Sequence, residues 1–506
     1  MARRYIEIMD TTLRDGEQTS GVSFSASEKL ALAQLLLTEV KVDRVEVASA
    51  RVSAGELEAV QQITQWAAKV GLLDKVEVLT FVDGQASLDW MLASGAKVMN
   101  LLTKGSLNHL THQLKKTPQE HFADIQQVIC QAGKQEIQVN VYLEDWSNGM
   151  RNSPEYIFQY LDFLQTQPIK RVLLPDTLGI LIPSEAYRFV QQLVSRYPTL
   201  HFDFHAHNDY DLSIANVMEA IRAGAHGVHL TVNGLGERAG NAPMASAIAV
   251  LRDFMPDVKM GVVEKSLYQV SKIVETFSGL RIPDNKPVVG DNVFTQTAGI
   301  HADGDKKNNL YFNTLLPERF GRKRSYALGK TSGKANIENN LRELGIQLSD
   351  ADLKKVTQRV IELGDQKEVV TREDLPYVIS DVLNTNAIAS RVEILNYVLT
   401  HSKDLKPSAT LRMRIAEEQF EENAQGDGQY DAFMNALKKI YARMKLTLPE
   451  LTDYAVRIPT GGRTDALCET IITWKHKNRE FKTRGLDSDQ TVSAIKATQK
   501  MLNTLD

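Results

Sequence analysis

Two histidines one residue apart stand in FDFHAHNDYD (202–211). If this stretch is extended, its side chains alternate. Phe202, Phe204 and Ala206 then face one way, and Asp203, His205 and His207 face the other. Two imidazoles on one edge suit half of a divalent-metal site, and equally a strand whose polar face carries histidines. A second stretch, YIEIMDTTLRDGEQ (5–18), runs from a β-rich segment into Arg14 and Asp15. Asp15, His205 and His207 together form a two-histidine, one-carboxylate set, which leaves positions open on a divalent ion; Zn, Mn and Mg all suit it. An open position can take a 2-oxo acid through its keto and carboxylate oxygens, with the ion polarising the keto group. Arg14 can then stabilise alkoxide charge. Thr177 can hydrogen-bond the carboxylate, Asn241 is a further ligand or a supporting donor, and Glu144 is a candidate general base.

These residues need a scaffold that gathers them. The first 255 residues alternate short β-rich runs with segments of helical period. The runs cover 5–13, 43–50, 75–82, 96–104, 137–145, 169–177, 201–209 and 226–234. Helical segments are read at 25–39, 118–132, 153–165, 183–197, 208–224 and 242–255. Eight evenly spaced units favour a closed (β/α)8 TIM barrel over an open doubly wound sheet. In such a barrel, the C-terminal strand ends share one rim, which places Arg14, Asp15, Glu144, Thr177, His205, His207 and Asn241 together.

Beyond the barrel (1–258) the pattern predicts a helical and loop-rich subdomain (259–325) and a helical linker (326–387). A C-terminal α/β domain (388–506) follows, read as a duplicated β-β-α unit. The chain has 506 residues, 43% apolar, 24% charged, with net charge −4. That balance gives no reason to expect a nucleic-acid or membrane partner. Two distant cysteines, Cys130 and Cys468, exclude a disulfide framework, and with no signal peptide or apolar span in view the expected location is the cytoplasm. NGLGERAGN (233–241) has a spacing near the dinucleotide fingerprint, but its glycines are better explained as tight turning of a ligand loop. The basic run RFGRKR (319–324) reads as a solvated loop.

DTTLRDGEQT, HAHND and NGLGERAGN resemble the signature segments of the isopropylmalate synthase, homocitrate synthase and citramalate synthase family. The likeness runs nearly end to end. It implies a metal-dependent barrel that condenses acetyl-CoA with a 2-oxo acid, and a C-terminal regulatory domain. Residue by residue, the resemblance implies Asp15, His205 and His207 as metal ligands, with Asn241 beside them. Arg14 becomes the oxyanion-stabilising residue, Thr177 a substrate contact, and Glu144 the base, assisted by His301. His301, Asp303, Asn309, Leu310 and Tyr311 form part of an acetyl-CoA lid. LTKGSLNHL, NVYLEDWSNGMRNSP, FTQTAGIHADGDKKNNLY and LPERFGRKRSYALGK are most similar to the citramalate-forming branch. Leu79, Leu102 and Tyr142 would then line the space around the side chain of the 2-oxo acid. A methyl group fits there better than an isopropyl group, so pyruvate is expected and 2-oxoisovalerate is the alternative. The C-terminal domain is expected to bind isoleucine (leucine in the alternative) and to pair into a homodimer. Tyr430 and Asp431 would lie near the effector's amino group, with Leu451, Tyr454, Ile458 and Cys468 as an apolar wall. Cys468 departs from the plain aliphatic residue expected there.

Overall fold

The computed structural model describes residues 3–298, 310, 313–365, 370–383, 392–457, 468–477 and 479–504. His301, Asp303, Asn309, Tyr311 and Ile458 lie outside the described residues. The eight expected strands are present: β1 (Glu7–Asp10), β2 (Arg44–Ser49), β3 (Val76–Phe81), β4 (Val98–Lys104), β5 (Gln138–Glu144), β6 (Arg171–Asp176), β7 (Phe202–Ala206) and β8 (Gly227–Leu230). They pair in parallel in chain order, and β8 closes on β1 with Glu7 opposite Gly227. These eight strands form a TIM barrel.

Helices on the outside bury the barrel's apolar face. They are α1 (Ala26–Leu35), α2 (Ala54–Lys69), α3 (Ala86–Ser94), α4 (Pro118–Lys134), α5 (Pro154–Leu164), α6 (Pro183–Arg196), α7 (Ser213–Ala223) and α8 (Met244–Phe254). Ser25 opens α1 with a capping box closed by Glu28, and Thr117 opens α4 the same way with Glu120. Helices α2 and α3 are not among those expected from sequence. The segment of α3, ASLDWMLAS, is only nine residues long and carries little helical periodicity. The outward side chains of each strand, such as Ile8, Val45 and Val47, or Phe202 and Phe204, form one continuous core with these helices.

The inward side chains are largely polar, unlike the branched aliphatic layers common in such barrels. Arg44 reaches Glu77 (3.0 Å), Glu7 (3.1 Å) and Asp203. Arg171 adds a second bond to Glu7 at 2.8 Å. One layer nearer the rim, Asn100 donates to Glu46 (2.7 Å) and Asn140 donates to Asn100 (2.8 Å). Charges this deep are tolerable only because they are paired.

The described chain forms two compact units, 1–294 with 313–324, and 295–312 with 325–506. Helix α9 (Leu267–Ser278), Val288, Val289, Phe294 and Phe320 join the barrel's own core. In the second unit, α10 (Lys334–Glu343), α11 (Asp350–Asp365) and α12 (Leu375–Leu383) enclose Ile337, Leu341, Val356, Val360 and Leu375. The C-terminal region holds two antiparallel three-stranded sheets, each followed by a helix. The first is β9 (Val392–Ser402), β10 (Leu405–Ile415) and β11 (Glu418–Gln425), then α13 (Gln429–Arg443). The second is β12 (Glu450–Arg457), β13 (Cys468–His476) and β14 (Arg479–Asp487), then α14 (Gln490–Thr504). The repeat is therefore β-β-β-α, a correction to the β-β-α expectation. The tight turns are hard to see in sequence because Asp404, Ala416 and Lys477, rather than glycines, take positive φ there (70°, 52° and 54°). Among the described residues no helix is long and apolar enough to cross a membrane.

Behind the rim, His121 of α4 is 1% exposed and accepts a hydrogen bond at Nε2 from the Lys104 backbone N–H (3.2 Å). Burial lowers its pKa from 6.5 to about 4. The unfolded chain therefore binds this proton more tightly than the folded one between those values. Stability from this group is complete above pH 6.5 and declines as pH falls toward 4, with a limiting slope of about 1.4 kcal/mol per pH unit. His121→Gln keeps an acceptor for the Lys104 N–H but cannot titrate. Urea unfolding of the barrel across that range should show a smaller acid-side loss in the variant, and equal losses would refute the assignment.

Candidate metal centre and active site

The loop after β1 turns sharply, with the Thr11 carbonyl accepting from the N–H groups of Arg14 (3.2 Å), Asp15 (2.8 Å) and Gly16 (3.1 Å). Lys29 of α1 braces this loop from behind. Its ammonium is fully buried, lies 2.6 Å from both Glu17 and Glu56, and donates to the Leu13 carbonyl at 3.1 Å. The turn aims the Asp15 carboxylate at the end of β7. Asp15 Oδ2 stands 3.5 Å from His205 Nε2 and 3.9 Å from His207 Nε2. The three side chains offer ligand atoms that all lie within 4.8 Å of one another, and all three are buried.

Asn241 joins from the loop after β8, donating to Asp15 Oδ1 (2.9 Å) and to the Leu235 carbonyl (3.1 Å). Here the glycines of NGLGERAGN do what the sequence suggests. Gly234, Gly236 and Gly240 have φ of +74°, +155° and +85°. A Cβ on Gly236 would sit 2.3 Å from Asn241 Nδ2, and one on Gly240 would sit 2.0 Å from the Gly234 carbonyl oxygen. Arg238 then clips this loop to the β7 loop through Asp209 (2.7 and 3.0 Å) and donates to the Thr177 carbonyl (2.8 Å).

The set fits a divalent ion on two grounds. First, both histidines turn Nε2 toward Asp15 Oδ2, and Asn241 Oδ1, on the amide that bonds Asp15, is buried with no hydrogen-bond partner among the described residues. A buried polar atom left bare is costly, and a cation held beside it would explain the arrangement. Second, the protonation states are those of ligands. Burial opposes charge on Asp15, but the Arg14 guanidinium and the Asn241 amide hold its carboxyl well below the usual range. Burial lowers both His205 and His207, against the pull of Asp15, which keeps the imidazoles neutral.

Around this centre the other expected residues fall into place to different degrees. Arg14 donates through Nε to Glu46 (2.7 Å) and through Nη1 to Asp15 (2.8 Å), and its Nη2 points at the Tyr142 hydroxyl (3.4 Å). Leu79 and Tyr142 pack with Leu173, and partly buried Leu102 lies against them. The Tyr142 ring is edge-on to His205, with centroids 6.2 Å apart, so this apolar cluster adjoins the histidines. Leu173 is a wall not named from sequence, although its inward register on β6 could have shown it. Glu144, at the end of β5, is paired with Lys104 at the end of β4. Lys104 was also not singled out, because a lone lysine at a strand end carries no spacing signal. Thr177 accepts the Asp145 backbone N–H at 2.9 Å. Leu310 is 68% exposed.

In the C-terminal domain, Tyr430 and Tyr454 stand together with ring centroids 5.5 Å apart, and the Tyr430 hydroxyl bonds Thr498 at 2.7 Å. Cys468 is buried at the start of β13. Asp431 turns back on its own loop, accepting the Asp427 N–H at 2.9 Å, and Leu451 is 39% exposed on β12.

Residues 5–274, more than half of the chain, match the HMGL-like family model, and the chain belongs to that family. Residues 288–368 match a homocitrate synthase post-HMGL domain-like model, and residues 369–505 match the LeuA allosteric (dimerisation) domain. A putative (R)-citramalate synthase of Methanopyrus kandleri is 32% identical over 468 residues, covering 92% of this chain and 89% of that one. The (R)-citramalate synthase of Methanocaldococcus jannaschii is 31% identical over 506 residues, covering 99% of each chain. The 2-isopropylmalate synthase of the same organism is also 31% identical, over 99% of this chain and 94% of its own. The chain is thus an enzyme of the acyltransferase type, in the group that contains the citramalate and 2-isopropylmalate synthases. Equal identity to both means that overall similarity does not separate their substrates; the pocket must.

His207→Ala removes one donor from the cluster, and Gly236→Ala drives a methyl group into the Asn241 amide. Both variants should stay folded by circular dichroism yet bind a divalent ion at least about tenfold more weakly, the scale on which ligands and their supports act. Undiminished metal affinity by calorimetry in His207→Ala would sink the assignment.

Proposed function

We propose that the enzyme condenses acetyl-CoA with pyruvate to give (R)-citramalate and CoA. The observation that carries this reading is the buried Asp15–His205–His207 set beside an apolar cluster of Leu79, Leu102, Tyr142 and Leu173. A divalent ion held by Asp15, His205 and His207, with Asn241 beside them, would supply Lewis-acid polarisation of the keto group. The chain's own residues do the rest. Leu79, Leu102 and Tyr142 receive the methyl group of pyruvate. Thr177 hydrogen-bonds its carboxylate. Glu144, with His301, takes a proton from the acetyl methyl group, and the resulting carbanion equivalent adds to the keto carbon. Arg14 stabilises the alkoxide that forms, its Nη2 lying beside the Tyr142 hydroxyl at this apolar cluster. Water then hydrolyses the thioester, which makes the overall process irreversible. The second reading, a 2-isopropylmalate synthase, is supported by the equal similarity to such an enzyme.

The LeuA-type match over 369–505 supports a regulatory role for the C-terminal domain and its pairing into a homodimer. Isoleucine is the effector we propose, with Tyr430 and Tyr454 at its site and Cys468 on the apolar side. Asp303, Asn309, Leu310 and Tyr311 are proposed to contact acetyl-CoA. The functional division we propose is barrel 1–258, lid 259–325, linker 326–387 and regulatory domain 388–506.

Three outcomes test these assignments. Thiol release from acetyl-CoA against a panel of 2-oxo acids should be fastest with pyruvate; preference for 2-oxoisovalerate would replace this reading with the alternative. Glu144→Gln should retain metal and pyruvate binding while turnover drops by about two to four orders of magnitude, and near-normal turnover would demote Glu144 to a structural role. Isoleucine at millimolar levels should inhibit the full chain but not one truncated near residue 390; inhibition by leucine alone would overturn the effector.

A further inference from the structure

Tyr142 is held at its far end by a residue that none of the preceding assignments uses. Its hydroxyl lies 2.9 Å from His229 Nδ1, and His229 Nε2 lies 3.3 Å from Asp203 Oδ2. His229 and Asp203 are fully buried and Tyr142 is 2% exposed. The Asp203 carboxylate is ion-paired with the Arg44 guanidinium, and its Oδ1 lies 2.9 Å from His201 Nε2. An ionised carboxylate only accepts, so His229 donates to it from Nε2. On the other side, Arg14 Nη2 can only donate to the tyrosine oxygen (3.4 Å). The phenol proton is then free to point at Nδ1, which accepts it. The chain of donors therefore runs one way, from Arg14 through Tyr142 and His229 to Asp203.

The rest of the pocket wall is aliphatic. Leu79, Leu102 and Leu173 have no directional bond to resist repacking. Tyr142 is different, because its ring is pinned by a polar bond at the hydroxyl and stands edge-on to both His229 (5.6 Å between centroids) and His205 (6.2 Å). Buried polar networks fix geometry in this way when every member is satisfied. We infer that His229 is a specificity-determining positioning residue: by anchoring the Tyr142 hydroxyl it sets the size of the pocket that receives the side chain of the 2-oxo acid. This rests on the proposed placement of that side chain against Leu79, Leu102 and Tyr142.

The test compares kcat/KM for pyruvate and 2-oxobutanoate, which differ by one methylene, in the full-length metal-loaded enzyme. His229→Leu fills similar space but cannot bond at either nitrogen position. Tyr142→Phe removes the same bond from the other end. Both should lose about tenfold of the wild-type discrimination, mostly through KM, since a methylene in a pocket is worth roughly that much. His229→Gln, which can accept from Tyr142 and donate to Asp203, should restore discrimination to within about threefold of wild type. A wild-type ratio in Tyr142→Phe, or in a folded His229→Leu, overturns the inference, as does a His229→Gln variant no better than His229→Leu. If His229→Leu does not fold, Tyr142→Phe decides alone. The wild-type panel is scored separately. An enzyme that prefers 2-oxoisovalerate refutes the pyruvate reading, while lost discrimination in Tyr142→Phe still supports the role of His229.

Discussion

A buried carboxylate that must remain charged is the constraint around which the barrel is arranged. Asp15 is 2% exposed, and an isolated carboxylate at such a depth would simply take up a proton. Arg14 prevents this at 2.8 Å, but Arg14 is itself shared with Glu46 at 2.7 Å. Two carboxylates against one guanidinium leave a negative charge in excess beside two imidazoles that burial keeps neutral. That excess is the electrostatic condition a divalent cation satisfies.

Precision at this centre comes from the elements behind it. Lys29 ties the β1 loop to β2 and to α2 through Leu13, Val47, Glu17 and Glu56. The glycines at 234, 236 and 240 let the β8 loop fold close enough for Asn241 to reach Asp15. Gly149 plays the same part between β4 and β5: a Cβ there would lie 2.0 Å from the Gly105 carbonyl oxygen, so the rim carrying Lys104 and Glu144 closes only around a glycine. Each device costs conformational entropy or charge desolvation, and the continuous apolar core between strands and helices offsets it.

The polar interior of the barrel connects layers that are far apart in sequence. Arg44, Glu77 and Asp203 form the lower layer, Glu46 and Asn100 the next, and Tyr142, His229 and His205 the rim. Alternation along each strand sends every second residue inward, so one register serves both packing outside and chemistry inside. A one-residue slip in any strand would exchange the two. In the C-terminal region the same chain uses a different economy, with two β-β-β-α repeats that place Leu411, Phe433, Trp474 and Met501 in a core of their own.

By itself the sequence determined the eightfold strand count, the outward and inward faces of FDFHAHNDYD, and the membership of Asp15, His205 and His207 in one rim. These are local or periodic properties: side-chain alternation is a consequence of strand geometry, and strand ends in a barrel share a face whatever the side chains are. The glycine-rich loop was legible for the same reason, since positive φ selects residue type locally. Partners brought together by closure were not legible. Nothing at position 104 announces a contact with Glu144, and nothing at 229 announces a bond to Tyr142, because those meetings depend on strand order and register. The third strand of each C-terminal repeat was hidden because Ala416 and Lys477 turn the chain without a turn residue's signature. Only the tertiary structure decided which charges neutralise one another, since a pair such as Arg44 and Asp203, 159 residues apart, exists only after the barrel has closed.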